Sequence, residues 1–154
     1  MSSDKDLDRV DREILRLLGV DASLSLAEIA DKVGLTATPC WKRIRRMEQA
    51  GIIQRRVALI DPAKVGLGVS VFVCVETADH SADWLARFAN VVDGMAEIVA
   101  AWRMSGDVDY VLHVVVPDIA AYDGFYRRLI GALPLRNVTS RFAMERMKEA
   151  PLPI

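Results

Sequence analysis

Apolar residues recur at helical spacing through the first third of the chain. Leu7, Val10, Ile14, Leu17 and Leu18 share one face and predict a first helix ending near Gly19. A second helix is predicted over 26–33, with Leu26, Ile29, Ala30 and Val33 turned inward. Ser25 is placed to cap it, and Glu28 three residues later completes a capping box. Gly34 stops that helix, and Thr36 is placed to cap a third over 37–50. Helix, short glycine-containing turn, helix is the layout of a helix-turn-helix unit. On the third helix, drawn at ~100° per residue, Cys40, Ile44, Met47 and, at the edge, Trp41 fall on one arc. Thr38, Lys42, Arg45, Arg46 and Gln49 fall on the opposite arc, with Arg43 beside it.

The period then changes. Residues 52–60 are β-branched and read as a strand, whose Arg55 and Arg56 could form a wing against phosphates. Pro62, Gly66 and Gly68 mark a connection over 61–68, which separates a first domain at 1–60 from a second at 69–154. In the second domain, 69–75 reads as a strand, 81–92 as a helix, and 97–104 and 108–116 as strands joined at Ser105-Gly106-Asp107. A helix marked by Ile119, Tyr122, Phe125, Tyr126 and Leu129 and a strand over 138–147 follow. The order βαββαβ is that of a ferredoxin-like split unit, so the whole chain is predicted to be α+β. Two helices on one sheet face leave the other to be buried. The valines Val69, Val71, Val73, Val75, Val114 and Val116 suggest a symmetric dimer as the cover.

Composition narrows the class. A chain of 154 residues with 52% hydrophobic and 27% charged side chains can bury a core. No apolar run approaches the roughly 18 residues needed to cross a bilayer, and the polar, acidic start at 1–8 does not read as a signal peptide. Two cysteines and two histidines give neither a disulfide scaffold nor a metal knuckle, so a cytoplasmic protein without metal or cofactor is expected. The net charge of −1 conceals a split. Residues 1–31 carry four basic against eight acidic side chains, whereas 42–56 carry six basic against Glu48 alone. Such a run is either a solvated helix face or an electrostatic footprint for a polyanion. The mixture of Thr38 and Gln49 with lysine and arginine, on a helix that follows a tight turn, favours DNA, since that face can bond phosphates and base edges.

These motifs carry a resemblance. Leu7-Asp8-Arg9-Val10-Asp11, the run from Gly34 to Cys40, Arg43-Ile44-Arg45-Arg46-Met47-Glu48 and, in the second half, Ser105-Gly106-Asp107-Val108-Asp109-Tyr110 resemble the Lrp/AsnC (feast/famine) regulators. Residues 38–43, His80-Ser81 before Trp84, Trp102-Arg103-Met104 and Thr139-Ser140 before Phe142 resemble its cysteine-responsive, DecR-type branch. The loop Leu133-Pro134-Leu135-Arg136 is one residue shorter than the usual family form, which has glycine after proline. The resemblance implies an N-terminal winged helix-turn-helix and a C-terminal RAM domain that senses a small amino acid. It also implies homodimers that assemble into tetramers or octamers.

Two sites follow as expectations. The DNA set is Thr36, Thr38, Lys42, Arg43, Arg45, Arg46, Gln49 and Arg55, in contact with double-stranded DNA. The effector set is Met104, Ser105, Gly106, Asp107, Asp109, Tyr110, Thr139 and Ser140. A glycine turn can expose successive N–H groups to a carboxylate, and Asp107 or Asp109 can pair with an ammonium. Taken alone the same turn is an ordinary hairpin. Cys40, Cys74 and His113 read as packed residues, whereas His80 lies in a polar loop within reach of a ligand. Two rivals stand beside the regulator. An enzyme on the ferredoxin-like unit lacks a legible nucleophile or base set. An architectural DNA binder would keep the basic helix but need no effector loop.

Overall fold

A computed structural model describes residues 7–154; the polar stretch before Leu7, which does not read as a signal peptide, lies outside the described residues. The chain divides into two compact units, one holding residues up to Leu59 together with Met147–Ile154, the other Ile60–Arg146.

The first unit contains α1 (Arg9–Val20), α2 (Leu26–Lys32) and α3 (Ala37–Gln49). Reciprocal capping boxes start two of them. Asp8 and Asp11 bond each other's backbone N–H at the head of α1, and Ser25 and Glu28 do so at the head of α2. Gly34 takes φ 70°, the left-handed region that lets the chain turn between α2 and α3 without a Cβ penalty. Thr36 stands at the cap of α3, but its side chain makes no capping bond. Ile14, Ile29, Ala30, Cys40, Ile44 and Met47 form the buried core, so the inward arc of α3 is the one its periodicity indicated. Trp41 departs from that arc and is half exposed.

The strand expected over 52–60 is not formed. This segment carries no strand pairing, and Val57, Leu59 and Ile60 are exposed. Its β-branched composition is sound, but a strand needs a neighbour to receive its backbone bonds, and the described residues supply none there. By contact, the eight C-terminal residues group with the first unit, where Pro151 lies 3.4 Å from the position a Cβ on Gly19 would take. Part of the proposed linker is a short 3-10 turn, Ala63–Val65, belonging to the second unit.

The second unit is β1 (Val69–Glu76), α4 (Ala82–Gly94), β2 (Ile98–Arg103), β3 (Tyr110–Val116), α5 (Ile119–Ala132) and β4 (Asn137–Phe142). The sheet order is β2-β3-β1-β4, all antiparallel, which is the ferredoxin-like arrangement. The last strand stops at Phe142, short of the expected 147.

Alternation along β1 decides the faces. Val71, Val73 and Val75 are fully buried beneath α4 and α5, in one cluster with Leu112, Val114, Val116, Trp84, Phe125 and Leu129. The valines expected to cover a dimer face are therefore already used inside one chain. The face left open carries the alternate residues: Ser70, Phe72 and Cys74 of β1, Val111, His113 and Val115 of β3, Ala100 and Trp102 of β2, and Thr139 and Arg141 of β4. On it Phe72 is 38% and Trp102 49% exposed. His113 stacks on Phe72, ring centroids 4.8 Å apart, and its Nε2 lies 2.7 Å from Ser70 Oγ.

Candidate functional site

The basic stretch of α3 is sorted by its partners. Thr38, Lys42, Arg45 and Gln49 lie exposed on the arc away from the core. Arg45 bonds Glu48 at 3.1 Å, and its guanidinium carbon stands 6.0 Å from the centre of the Trp41 ring. Glu48 also receives Arg56 at 3.2 Å, so this acid bridges α3 to the segment expected to be a wing. Arg55 is exposed on the same segment. Leu24, Leu26 and Trp41 line an open groove of about 470 Å³ beside these residues.

Arg43 and Arg46 instead bond acids of α1, Arg46 through one nitrogen while staying exposed. Arg43 Nη1 reaches Asp8 Oδ2 at 2.6 Å and Asp11 Oδ1 at 2.9 Å, and Arg46 Nη2 reaches Asp11 Oδ2 at 2.5 Å. The Asp11 N–H and the Arg43 guanidinium hold the Asp8 carboxyl below its ordinary range. The two carboxylates raise Arg43 in turn. Arg43 is accordingly bound to α1 rather than presented with Lys42 and Arg45. Sequence reasoning missed this network, although its signal was visible: the two acids and the two arginines each lie three residues apart.

The second candidate site is the hairpin between β2 and β3. The N–H of Met104 donates to the Asp109 carbonyl at 2.8 Å and closes the loop, and Gly106 takes φ 125°, which a side chain would resist. Met104, Ser105, Gly106 and Asp107 are exposed. Asp109 is committed differently. Its Oδ2 accepts the N–H of buried Thr77 at 2.8 Å, and its Oδ1 lies 4.0 Å from His80 Nδ1. It thereby ties this hairpin to the loop that precedes α4, where Ser81 caps the helix by accepting the Trp84 N–H.

Three expected effector residues do not converge. Tyr110 is buried, its ring 4.4 Å from Phe88 and 5.7 Å from Trp84, and belongs to the core. Thr139 and Ser140 are neighbours on β4 and so face opposite sides of the sheet. Thr139 shares the open face with Cys74, whereas Ser140 bonds the Tyr122 hydroxyl under α5. Both cysteines are free and buried, and burial pushes the Cys40 thiol upward. Among the described residues no cluster of three His, Cys, Asp or Glu side chains could hold a metal.

A profile for the Lrp/AsnC ligand-binding domain matches residues 70–153, and one for a winged helix-turn-helix DNA-binding domain matches 7–54. The chain belongs to the Lrp/AsnC family of transcriptional regulators. It is 50% identical to the DNA-binding transcriptional activator DecR of Escherichia coli K12 over 143 residues, covering 92% of this chain and 94% of that protein. It is 43% identical to the glutamate uptake regulatory protein of Zymomonas mobilis, over 97% and 93% of the two chains. The fold matches the crystal structure of an AsnC family regulator from Agrobacterium tumefaciens with a TM-score of 0.91 at 57% identity, over 96% and 97% of the chains. It also matches a transcriptional regulator from Neisseria meningitidis in complex with L-methionine, with a TM-score of 0.91 at 29% identity and the same coverage. This Lrp/AsnC chain is a DNA-binding regulator of the DecR type with an amino-acid-binding domain, not an enzyme. The ligand-binding match favours an effector-responsive regulator over the effector-free architectural reading.

Proposed function

We propose that this regulator holds DNA with the outward arc of α3 and is tuned by a small amino acid bound at the β2–β3 hairpin of an oligomer. The observation that supports the first half is the division of the α3 cations: Lys42 and Arg45 face solvent with Thr38 and Gln49, opposite the buried Ile44 and Met47. Dimers would set two such helices in successive major grooves. Removing one cation from a phosphate should lower the salt slope of binding by about 0.9. Mobility shifts of Lys42→Ala and Arg45→Ala across a salt series are expected to show weaker binding and shallower slopes. Parental affinity and slope in both variants would remove α3 from the interface.

The second half rests on the exposed glycine turn, which offers backbone N–H groups beside the Asp107 carboxylate. These two chemistries suit the two charges of a free amino acid. Asp107 is the clean probe, because Asp109 also holds the Thr77 backbone. A charge-assisted bond is worth about 1.5–3 kcal/mol, so Asp107→Asn should weaken effector binding by roughly one to two orders of magnitude. Calorimetry with cysteine and methionine, followed by the remaining amino acids, checks this; parental affinity in the variant would move the site elsewhere. Cysteine is the first choice by likeness to the DecR branch, and methionine by likeness to the Neisseria complex.

The oligomer is proposed to begin as a homodimer across the open sheet face around Phe72 and Trp102, assembling further into tetramers or octamers. The protein is placed in the cytoplasm, where its DNA lies. No described helix is long and apolar enough to cross a membrane.

A further inference from the structure

We propose that Asp11 is the positioning residue of the DNA interface, a buried carboxylate in α1 that aims Arg46 of α3 and withdraws Arg43 from the duplex. This deepens the reading of α3 as the DNA-facing helix and rests on it.

Asp11 is 1% exposed, which a charged side chain tolerates only when its oxygens are fully paired. They are paired asymmetrically. Oδ1 accepts from Arg43 Nη1, while Oδ2 accepts from Arg46 Nη2 and from the Asp8 N–H at 3.2 Å. Arg43 and Arg46 lie about one turn apart on α3, so a single carboxylate straddles both. Asp8 adds a second acid to Arg43 and none to Arg46. The arginines therefore differ. The Arg43 side chain is bound by two acids and is 29% exposed, whereas Arg46 is anchored by one Nη and remains 52% exposed.

A buried ion pair is weak as a source of stability, because well-packed apolar side chains do as well. What the acid supplies that a leucine would not is direction. A guanidinium tied at one nitrogen keeps its remaining donors in a fixed plane, which suits bidentate recognition of a phosphate or of guanine. Asp11 also places a negative charge behind the basic arc, which reduces its attraction for DNA of any sequence.

Direction and charge give opposite signs in one variant, and a merely structural role does not. In Asp11→Asn the arginines lose their aim and the region gains one net positive charge. Binding to a scrambled duplex should tighten, with a salt slope steeper by up to about 0.9. Preference for a duplex enriched from a random pool by the parent protein should fall roughly fivefold or more. Arg46→Lys keeps the charge and loses the planar fork, so it should lower that preference while leaving the slope at the parental value. Both are measured by fluorescence anisotropy on the full chain beside Lys42→Ala and Arg45→Ala. Parallel weakening on both duplexes in Asp11→Asn, or an unchanged preference in a folded variant, would overturn the proposal. If Asp11→Asn does not fold, Arg46→Lys decides alone, and unchanged preference there overturns it. Parental binding by both Lys42→Ala and Arg45→Ala instead marks failure of the α3 reading itself.

Discussion

At the scale of single residues, carboxylates tie together parts of the fold that lie far apart in the chain. Cys40, Ile44 and Met47 announced their burial by period, and Cys74 by its apolar surroundings. By contrast, the commitment of Arg43 to Asp8 and Asp11 spans more than thirty positions and leaves no local trace beyond matched spacing. Asp109 is similar: a turn acid by sequence, it is bound across the fold to Thr77. His113 gives a prediction at this scale. Burial, followed by the positive charge of Arg146, lowers its pKa below the ordinary 6.5. The folded chain thus favours the neutral ring, while the unfolded chain takes up a proton near the ordinary value. Stability is fully present above that value and is lost as pH falls from it toward the lowered one. Urea midpoints are expected to drop between pH 7.5 and 5.5 in the parent and to drop less in His113→Gln. An identical decline in the variant would assign the acid sensitivity to other groups.

At the scale of elements, helices were legible to within a residue or two because caps and amphipathic period agree on them. The four strands of the second unit were legible in number but less so in the face each residue takes. Both faces of β1 are apolar, Val71, Val73 and Val75 on one and Phe72 and Cys74 on the other, so alternation alone did not say which faced the helices. A one-residue change of parity exchanges the whole set. The segment 52–60 shows the related failure: strand composition without a strand neighbour in its own chain. Caps provide the sharper test. Ser25 and Thr36 read alike as helix caps, yet only Ser25 accepts a helical N–H, from Glu28 at 3.2 Å. Ser25→Ala should cost about 1 kcal/mol, whereas Thr36→Ala should stay within about 0.5 kcal/mol. Chemical denaturation followed by Trp41 fluorescence in the first unit would compare them. Equal losses would mean that the Ser25 cap contributes nothing beyond its position.

At the scale of the whole molecule, the two units have separate cores, one around Ile14 and Met47, the other around Trp84 and Phe125. Separate cores predict separable stabilities and separable functions. A fragment over 60–146 contains all four strands, α4, α5 and the complete second cluster, so it should fold cooperatively without the DNA-binding unit. It also carries the open face, where Phe72 and Trp102 remain exposed beside the Phe72–His113 stack. An exposed apolar sheet face of this kind favours association with its own copy, since a two-fold axis lets each Phe72 meet an equivalent surface. The fragment is therefore expected to sediment as a dimer and to leave DNA unshifted. Phe72→Asp, which sets a charge at the centre of that face without touching the buried valines, should yield a folded monomer. In the full chain the same substitution should weaken operator binding while Lys42 and Arg45 remain intact, because one half-site would then be held by one helix at a time. A monomeric parental fragment, or a Phe72→Asp protein that stays dimeric, would place the subunit contact on another surface, with residues 52–60, which pair with no strand, the next to test.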